Sequence, residues 1–361
     1  MRHDFLSIGD IATDAFIKLK DAWVETDNPE HKQELCMLFG EKIPYESVTE
    51  VCGVGNSANA AVCATRLGLS SGLISNVGGD ENGKKCLDSV RNEKVNTDFV
   101  YVHKDEKTNY HFVLSYGAER TILVKHEKYK YSLPNFPTPR WLYLSSLGHN
   151  TEKYHEEIAD WLNKNPETKL AFQPGSFQIA LGTKKLAQIY ARTDVFVCNL
   201  EEALKLVEGH AEANIASAAA RALGIFQQKN IRVSGGVLRE RVLLLFNKLH
   251  ALGPKQVIIT NGPKGAYFSS TIEGVRNTTY FMPPYPDPKP PTNRTGAGDS
   301  FAATFVSYLA LGMEPLEALK RAPINSAYVV QEVGAQKGLL SREKLEEYLV
   351  SAPKDFSPQI L

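Results

Sequence analysis

The chain has 361 residues, of which 41 are basic and 41 acidic, so its formal net charge is zero. Hydrophobic residues make up 43% and charged residues 23%, a balance that excludes a largely disordered chain. Without a basic excess, neither nucleic acid nor an anionic membrane surface is expected as a partner. No stretch approaches the roughly 18 consecutive apolar residues of a membrane-spanning helix, so no membrane association is expected.

The start of the chain and its cysteines both indicate a cytoplasmic protein. Residues 1–6 lack the apolar core of a signal peptide and lead directly into a predicted strand. The five cysteines are an odd number and include no C-x-x-C pair. This usage favours reduced thiols over a disulfide or zinc framework.

Short apolar runs alternate with longer stretches of helical period along most of the chain. Strands are predicted over 5–9, 72–77, 141–145, 170–172, 195–198 and 257–260. Helices are predicted over 56–67, 81–91, 152–163, 211–223, 298–311, 315–333 and 342–350. Buried strands joined by helices are typical of a mostly parallel sheet covered on both faces, so the predicted class is α/β.

Three segments interrupt this alternation, because they show a period of two with no helices between them. They cover about 12–20, 43–52 and 99–125. In the third segment, residues 111–116 and 119–124 flank Gly117-Ala118 and predict a β-hairpin. We expect these segments to form a small sheet, which acts as a lid or contact surface and creates a cleft where ligands bind. Residues 21–40 look like an extra segment of this region.

The strongest local motif is Asn293-Arg294-Thr295-Gly296-Ala297-Gly298-Asp299-Ser300-Phe301, which opens an apolar helix. Its glycines let several backbone N–H groups point outward at the helix N-terminus, where the macrodipole also favours an anion. Asp299 falls in the first turn, where its negative charge would compete with a bound anion. A carboxylate at this position therefore suggests a further function besides stabilising the helix. One such function is that of a general base, which accepts the proton of an attacking hydroxyl. An ordinary glycine turn followed by an acidic residue is the alternative.

A second glycine-rich segment favours a different class of enzyme. Gly53-Val54-Gly55-Asn56-Ser57-Ala58 matches the G-x-G-x-x-A pattern, and Asp80 follows at about the distance of a ribose contact. On its own, this pattern predicts an NAD-dependent dehydrogenase. Two features count against it: residues 46–52 are half polar, and Asp80 lies in a turn rather than at a strand end.

Taken in chain order, these segments resemble the ribokinase-like (PfkB-type) carbohydrate kinases. Residues 9–14 resemble the family segment whose last aspartate binds sugar hydroxyls, and residues 54–59 resemble its Gly-Gly-x-x-x-Asn substrate loop. The resemblance implies that Asp14, Gly55 and Asn59 contact the sugar, although Val54 replaces the first glycine of the loop. Residues 77–83 are similar to the first signature of the family.

The second half of the chain carries three further family motifs. Asn199-Leu200-Glu201-Glu202 matches Asn-x-x-Glu, which implies that Asn199 and Glu202 lie near the phosphates, with Glu202 reaching Mg²⁺ through water. Residues 260–266 resemble the segment beside the nucleotide. Residues 295–301 resemble the second signature, the most specific of all. The nucleotide contacts implied are Thr260, Gly262 and Gly265, the implied anion hole is Gly296, Ala297 and Gly298, and the implied catalytic base is Asp299.

As a whole, the resemblance implies a single ribokinase-like kinase domain over residues 1–361, with three layers around a mostly parallel sheet and a β-sheet lid. The expected enzyme transfers the γ-phosphate of ATP to a hydroxyl of a sugar, with ATP and Mg²⁺ as cofactors. A ribonucleoside kinase of the same fold is the first alternative, and an NAD-dependent dehydrogenase is the more distant one. The expected partners are a sugar or nucleoside and ATP, and a homodimer through the lid is left open.

Several positions depart from the family pattern. Asn293 stands where potassium-stimulated members carry an aspartate, so a K⁺ requirement is left open, although residues 334–336 resemble the later cation loop. The substrate glutamate of ribokinases has no counterpart in residues 145–149. In the hairpin, His111 faces either the substrate or the packed interior. Arg120 is favoured as a solvated side chain over a ligand of phosphate or carboxylate.

Overall fold

The computed structural model describes residues 2–26, 33–117, 119–207, 235–272 and 275–361. The helix predicted over 211–223 lies outside these residues. The strands are β1 (Phe5–Ile8), β2 (Ala12–Leu19), β3 (Trp23–Glu25), β4 (Glu34–Cys36), β5 (Tyr45–Val54), β6 (Ser71–Gly78), β7 (Asn96–His103), β8 (Asn109–Tyr116), β9 (Glu119–Leu123), β10 (Trp141–Leu144), β11 (Lys169–Phe172), β12 (Thr193–Asn199), β13 (Gln256–Thr260), β14 (Ala266–Ile272), β15 (Val275–Met282) and β16 (Gln359–Ile360). The helices are α1 (Asn56–Arg66), α2 (Glu81–Asn92), α3 (Glu152–Lys164), α4 (Ser176–Leu181), α5 (Ala187–Arg192), α6 (Gly235–His250), α7 (Ala297–Ala310), α8 (Pro315–Val329) and α9 (Arg342–Val350).

A ten-stranded sheet in the order β16-β15-β14-β13-β12-β11-β10-β1-β6-β7 forms the centre of the molecule. Within this order, the neighbouring strands β13, β12, β11, β10, β1, β6 and β7 pair in parallel. Strands β1, β6 and β10 are buried at every position. One apolar core packs α1, α2, α7, α8 and α9 against one face of the sheet, and a second packs α3, α5 and α6 against the other. The predicted three-layer α/β fold is confirmed. Among the helices of the described residues, none is long and apolar enough to cross a membrane.

The antiparallel extension of the sheet was not among the predicted elements. Strands β14, β15 and β16 continue the sheet beyond β13 with antiparallel pairing. The segment of β14 mixes apolar residues with Ser269, Ser270 and Thr271, so it lacks the continuous apolar run by which the buried parallel strands were identified.

A four-stranded sheet in the order β5-β2-β8-β9, here called the lid sheet, stands apart from the central sheet. The hairpin predicted around Gly117 is β8 and β9, which pair antiparallel, while β2 and β8 pair in parallel. Residues 99–103, which the sequence pattern assigned to this region, belong instead to β7 at the edge of the central sheet. In the extra segment over 21–40, the short strands β3 and β4 pair with each other.

The dinucleotide interpretation of residues 53–58 is wrong, and the topology gives the reason. The strand before the glycines, β5, pairs antiparallel with β2 in the lid sheet and does not belong to the parallel sheet. Asp80 is the N-cap of α2, where its side chain accepts a hydrogen bond from the N–H of Gly83 at 2.9 Å. Its carboxylate also accepts hydrogen bonds from Thr108. Asp80 therefore joins a helix to the start of β8.

Candidate active site

Polar residues collect where the parallel strands of the central sheet end. Asp10 follows β1, Gln173 follows β11, Asn199 ends β12 and Thr260 ends β13. Because the carboxyl ends of parallel strands meet at one edge, these residues surround a common crevice, which is where open α/β sheets bind ligands. The N-termini of α1 and α7 open at the same edge.

The Gly296 turn delivers the N-terminus of α7 to this crevice. Gly296 has φ of 82°, and an added Cβ would lie 2.4 Å from the Cβ of Ala335, so both conformation and space require glycine here. No side chain caps the helix, and the amides of Ala297, Gly298 and Asp299 lie in the first turn, where helix geometry offers them no partner. The space beside Gly298 is open to 4 Å. The turn can therefore bind an anion through backbone N–H groups.

The carboxylate of Asp299 is held by three amide side chains from other parts of the chain. Its Oδ1 accepts hydrogen bonds from Asn56 at 2.9 Å and Gln173 at 3.1 Å, and its Oδ2 accepts one from Asn59 at 2.8 Å. Tyr143 donates in turn to the Oε1 of Gln173. Burial raises the pKa of Asp299 above its ordinary value, and the three hydrogen bonds partly oppose that rise.

The predicted substrate loop lies directly beside Asp299. Gly55 precedes α1, and an added Cβ there would lie 2.5 Å from the carbonyl oxygen of Asp10, so a side chain does not fit. The Oδ1 of Asn59 accepts a hydrogen bond from Gln336 at 3.0 Å, and Gln336 also donates to the carbonyl of Gly53 at 2.8 Å. The predicted substrate loop, Asp299 and residues 334–336 therefore form one connected network.

At the lid end of the crevice, two carboxylates face two imidazoles. Asp14 on β2 lies 3.3 Å from the Nδ1 of His111 on β8. Asp10 accepts hydrogen bonds from the N–H of Gly148 at 2.7 Å and from Tyr131 at 2.8 Å, and the Nδ1 of His126 lies 3.0 Å from it. Both aspartates are buried.

At the end of β12, Asn199 and Glu202 form a reciprocal pair. The N–H of Asn199 donates to Glu202 Oε2 at 2.8 Å, and the N–H of Glu202 donates to Asn199 Oδ1 at 2.9 Å. Burial raises the pKa of Glu202, and the negative charge of Asp299 adds to that rise. The reciprocal pair holds the side chain of Glu202 at the end of β12.

The Thr260 segment turns sharply beside this pair. Thr260 is the register partner of Asn199 in the parallel sheet. A short 3₁₀ turn, Gly262–Lys264, follows, and the N–H of Asn261 donates to the carbonyl of Gly265 at 2.8 Å. Gly265 has φ of 95°, and an added Cβ would lie 2.4 Å from the carbonyl of Met282. The turn therefore presents Thr260 and Gly262 at the strand ends, on the same edge as Asn199.

Arg120 is exposed on β9, as the sequence favours, and its guanidinium lies 3.8 Å from the carboxylate of Glu119. Its positive charge acts on Asp299 and lowers the pKa of that carboxyl, against the larger effect of burial. The register pairs Arg120 with Ser115, and the next pair on the same face is Val113 with Ile122. The strand alternation that places His111, Val113 and Ser115 on one face therefore gives Arg120 that face too.

Several residues of the network were not predicted from the sequence. Asn56 and Gln173, which hold Asp299, and Asp10 and Tyr131, which hold the lid end together, were not singled out for these contacts. Gln173 had a recognisable signal, because a polar residue directly after a buried parallel strand lies at the ligand edge. Tyr131 had none, since its contact with Asp10 spans 121 positions.

Residues 28–342 match the sequence profile of the pfkB family of carbohydrate kinases. The chain therefore belongs to this family, and its enzyme class is a carbohydrate kinase. The ribokinase of Bacillus subtilis is 27% identical over 319 residues, which cover 86% of this chain and 92% of that protein. The dehydrogenase alternative is wrong.

Solved structures share the fold at lower identity. The Arabidopsis thaliana ribokinase complexed with ribose and ATP superposes with a TM-score of 0.69 at 17% identity, over 97% of this chain and 99% of that one. The Methanocaldococcus jannaschii nucleoside kinase has a TM-score of 0.67 at 18% identity, over 97% of this chain and 99% of that one. At these identities the likeness defines the ribokinase-like fold, which sugar kinases and nucleoside kinases share.

Substitution by alanine should have opposite effects on stability at Gly298 and at Gly296, the two glycines of the α7 turn. Gly298→Ala places a methyl group in the open space and, because alanine favours helix, should stabilise the fold by up to about 1 kcal/mol. If that space receives a phosphoryl group, kcat/KM should nevertheless fall on the order of 100-fold. Gly296→Ala should instead destabilise the protein by at least about 1–2 kcal/mol, since it strains the left-handed backbone and clashes with Ala335.

Thermal unfolding and steady-state kinetics on both variants separate the two effects. A Gly298→Ala enzyme with wild-type kcat/KM for ATP would contradict an anion site at this turn.

Proposed function

We propose that the protein transfers the γ-phosphate of ATP to a hydroxyl group of a neutral, polyhydroxylated sugar or sugar-like acceptor. The observation that carries this proposal is the position of Asp299, a partly buried carboxylate in the first turn of α7, beside three backbone N–H groups that have no helical partner. A base and an anion site on adjacent residues suit an attack by a hydroxyl on a phosphoryl group.

Asp299 has the capacity to accept that proton. A carboxylate offers about four lone-pair sites, and the hydrogen bonds described above use two on Oδ1 and one on Oδ2. The remaining site on Oδ2 is available to an acceptor hydroxyl. Asn56, Asn59 and Gln173 hold the carboxylate in one orientation, so little reorganisation is needed when the proton moves. In a loose transition state the proton transfers late, and a carboxylate of modest basicity suffices.

The phosphates of ATP would lie between the α7 turn and the Asn199–Glu202 pair, with Thr260, Gly262 and Gly265 beside the nucleotide. Among the described residues, no cluster of three or more His, Cys, Asp or Glu side chains is arranged to hold a metal ion. Mg²⁺ is commonly held by one or two carboxylates together with phosphates and water, so Glu202, acting through water, fits this ion. When bound, Mg²⁺ neutralises charge on the phosphates. A K⁺ requirement stays a prediction: Asn293 is buried, and its Oδ1 accepts a hydrogen bond from Thr295 at 2.8 Å.

An ADP-release assay with ATP and Mg²⁺ tests this function across D-ribose, D-fructose, an acid sugar and adenosine, with and without K⁺. One acceptor should stimulate ADP release strongly. Asp299→Asn keeps the shape of the side chain and removes the base, so kcat should fall by about 100-fold or more. Nucleotide affinity should stay nearly unchanged.

Asp88→Asn, an exposed substitution on α2, serves as the control and should retain full activity. An Asp299→Asn enzyme that turns over at the wild-type rate would contradict the assigned base.

Arg120 gives a pH prediction whose sign follows from charge. Its guanidinium lowers the pKa of Asp299, and the base works only when it is deprotonated. Arg120→Met should therefore raise that pKa and move the acid limb of the kcat/KM profile to higher pH, whereas Arg120→Lys should move it less. Lys125→Met removes an exposed charge of the same region and should leave the limb in place.

The measurement is kcat/KM for the acceptor against pH in all four proteins. An acid limb that does not move in Arg120→Met would show that this charge does not act on the base.

We also propose that the lid sheet closes over the acceptor and that its outer face binds a second copy of the chain. Strand alternation gives that face an exposed apolar surface, formed by Tyr45, Val48, Phe112, Tyr116 and Leu123. Sedimentation velocity should find a dimer that Phe112→Glu weakens. Val350→Glu, at an exposed position on α9, should have no effect. A wild-type monomer at assay concentrations would contradict the dimer.

A further inference from the structure

The lid end of the crevice contains a polar atom, the Nε2 of His111, that takes part in none of the contacts described so far. His111 lies on β8, with its side chain only 16% exposed. Its Nδ1 lies 3.3 Å from Asp14 Oδ1, while its Nε2 is buried and has no hydrogen-bond partner among the described residues. A buried nitrogen without a partner is unfavourable in a folded protein, and such groups call for a ligand or another function.

The neighbours of His111 connect it to the proposed reaction centre. Its ring centroid lies 5.4 Å from that of His126, whose Nδ1 lies 3.0 Å from Asp10. The carbonyl of Asp10 packs against Gly55 at the start of α1, and α1 carries the Asn59 that holds Asp299. A chain of contacts through His126, Asp10 and Gly55 therefore connects the imidazole of His111 to the helix that holds Asp299.

The contact with Asp14 determines whether Nε2 is a hydrogen-bond donor or an acceptor. In a neutral imidazole only one nitrogen carries a hydrogen, and the carboxylate of Asp14 favours placing it on Nδ1. The lone pair then lies on Nε2, which becomes a hydrogen-bond acceptor. Asp14 is also an acceptor when ionised, so the two side chains together suit a ligand that presents two hydroxyl donors. An anionic substituent placed between Nε2 and Asp14 would meet two acceptors.

His126 has a different part in this cluster. Its Nδ1 faces Asp10, and its ring packs edge-on against Phe177 with centroids 5.1 Å apart. Asp10 is itself held by the N–H of Gly148 and by Tyr131. These contacts fix the wall of the crevice beside His111. The Nδ1 of His126 also has no hydrogen-bond partner among the described residues, although the Asp10 carboxylate lies 3.0 Å from it.

We propose that His111 is a specificity-determining residue, whose Nε2 accepts a hydrogen bond from a hydroxyl of the acceptor next to the hydroxyl bound by Asp14. The inference rests on the proposed function and narrows the class of neutral acceptors to those with two neighbouring hydroxyls. An analogue that lacks one of these hydroxyls leaves a buried acceptor unpaired, so the site discriminates against it.

Two near-isosteric variants distinguish this role from a purely structural one. His111→Asn retains a donor near the position of Nδ1 and loses the group at Nε2, whereas His111→Gln retains a polar group near Nε2 and loses Nδ1. If Nε2 contacts the acceptor, His111→Asn should raise the acceptor KM about tenfold, and His111→Gln should stay closer to the wild type. The KM for ATP should not change in either variant.

The reverse order, with His111→Asn near wild type and His111→Gln impaired, would overturn the proposal, because it would mean that His111 only positions Asp14. An unchanged acceptor KM in both variants would overturn it as well. Thermal unfolding of each variant establishes that the fold is retained.

A second measurement uses the acceptor that the wild type phosphorylates best among D-ribose, D-fructose and adenosine, together with its monodeoxy analogues. One analogue should be about tenfold poorer in kcat/KM for the wild type and show almost no further loss with His111→Asn, since the same hydrogen bond is already missing. Independent losses for every analogue would overturn the role of His111 while leaving the kinase intact. A wild type that phosphorylates none of the three acceptors would overturn the proposed function and this inference together.

Discussion

The amide cage around Asp299 is the interaction on which the rest of the site depends. A carboxylate that is partly removed from water is unfavourable unless it is hydrogen-bonded, and three side-chain amides supply those bonds from α1 and from the end of β11. Asn56 and Asn59 fix α1 relative to α7, and Gln173 fixes the end of β11. The cage therefore does two things at once: it stabilises an ionised carboxylate at position 299, and it aligns the proposed acceptor loop with the proposed phosphate turn.

Burial and hydrogen bonding act in opposite directions on the base, and the balance suits its proposed task. Burial raises the pKa of Asp299, while the amides and the charge of Arg120 lower it. A group whose folded pKa lies above its unfolded value contributes less to stability as the pH rises through that interval, so the ionised base is held at some cost in stability. Compact, oriented sites commonly carry such a cost, because preorganised charge is useful to the reaction.

Much of this arrangement could be predicted from local sequence, and the failures have a common physical cause. The alternation of apolar runs and helical stretches predicted the parallel sheet, and the glycine turn with Asp299 marked the start of α7. What local patterns could not reveal were contacts between distant positions. Asn56 lies 243 positions from Asp299, and Gln173 lies 126 positions from it. Such pairs are brought together by the order of strands in the sheet, and periodicity carries no information on that order.

The dinucleotide pattern at Gly53 illustrates the same limit from the other direction. The glycines there meet a short motif, yet the strand before them belongs to the lid sheet and runs antiparallel to its neighbour. The glycine at position 55 is required because of its contact with Asp10, a constraint that a short motif does not describe. A short glycine motif therefore indicates a dinucleotide site only when a strand of a parallel sheet precedes it.

Phosphorus NMR of the products tests the central claim most directly, because it distinguishes transfer to an acceptor hydroxyl from transfer to water. With ATP, Mg²⁺ and the stimulating acceptor present, the account predicts a new phosphomonoester resonance that grows in step with ADP. With Asp299→Asn, we expect the phosphomonoester and ADP resonances to grow at least about 100-fold more slowly. Inorganic phosphate as the only product beside ADP would contradict the account.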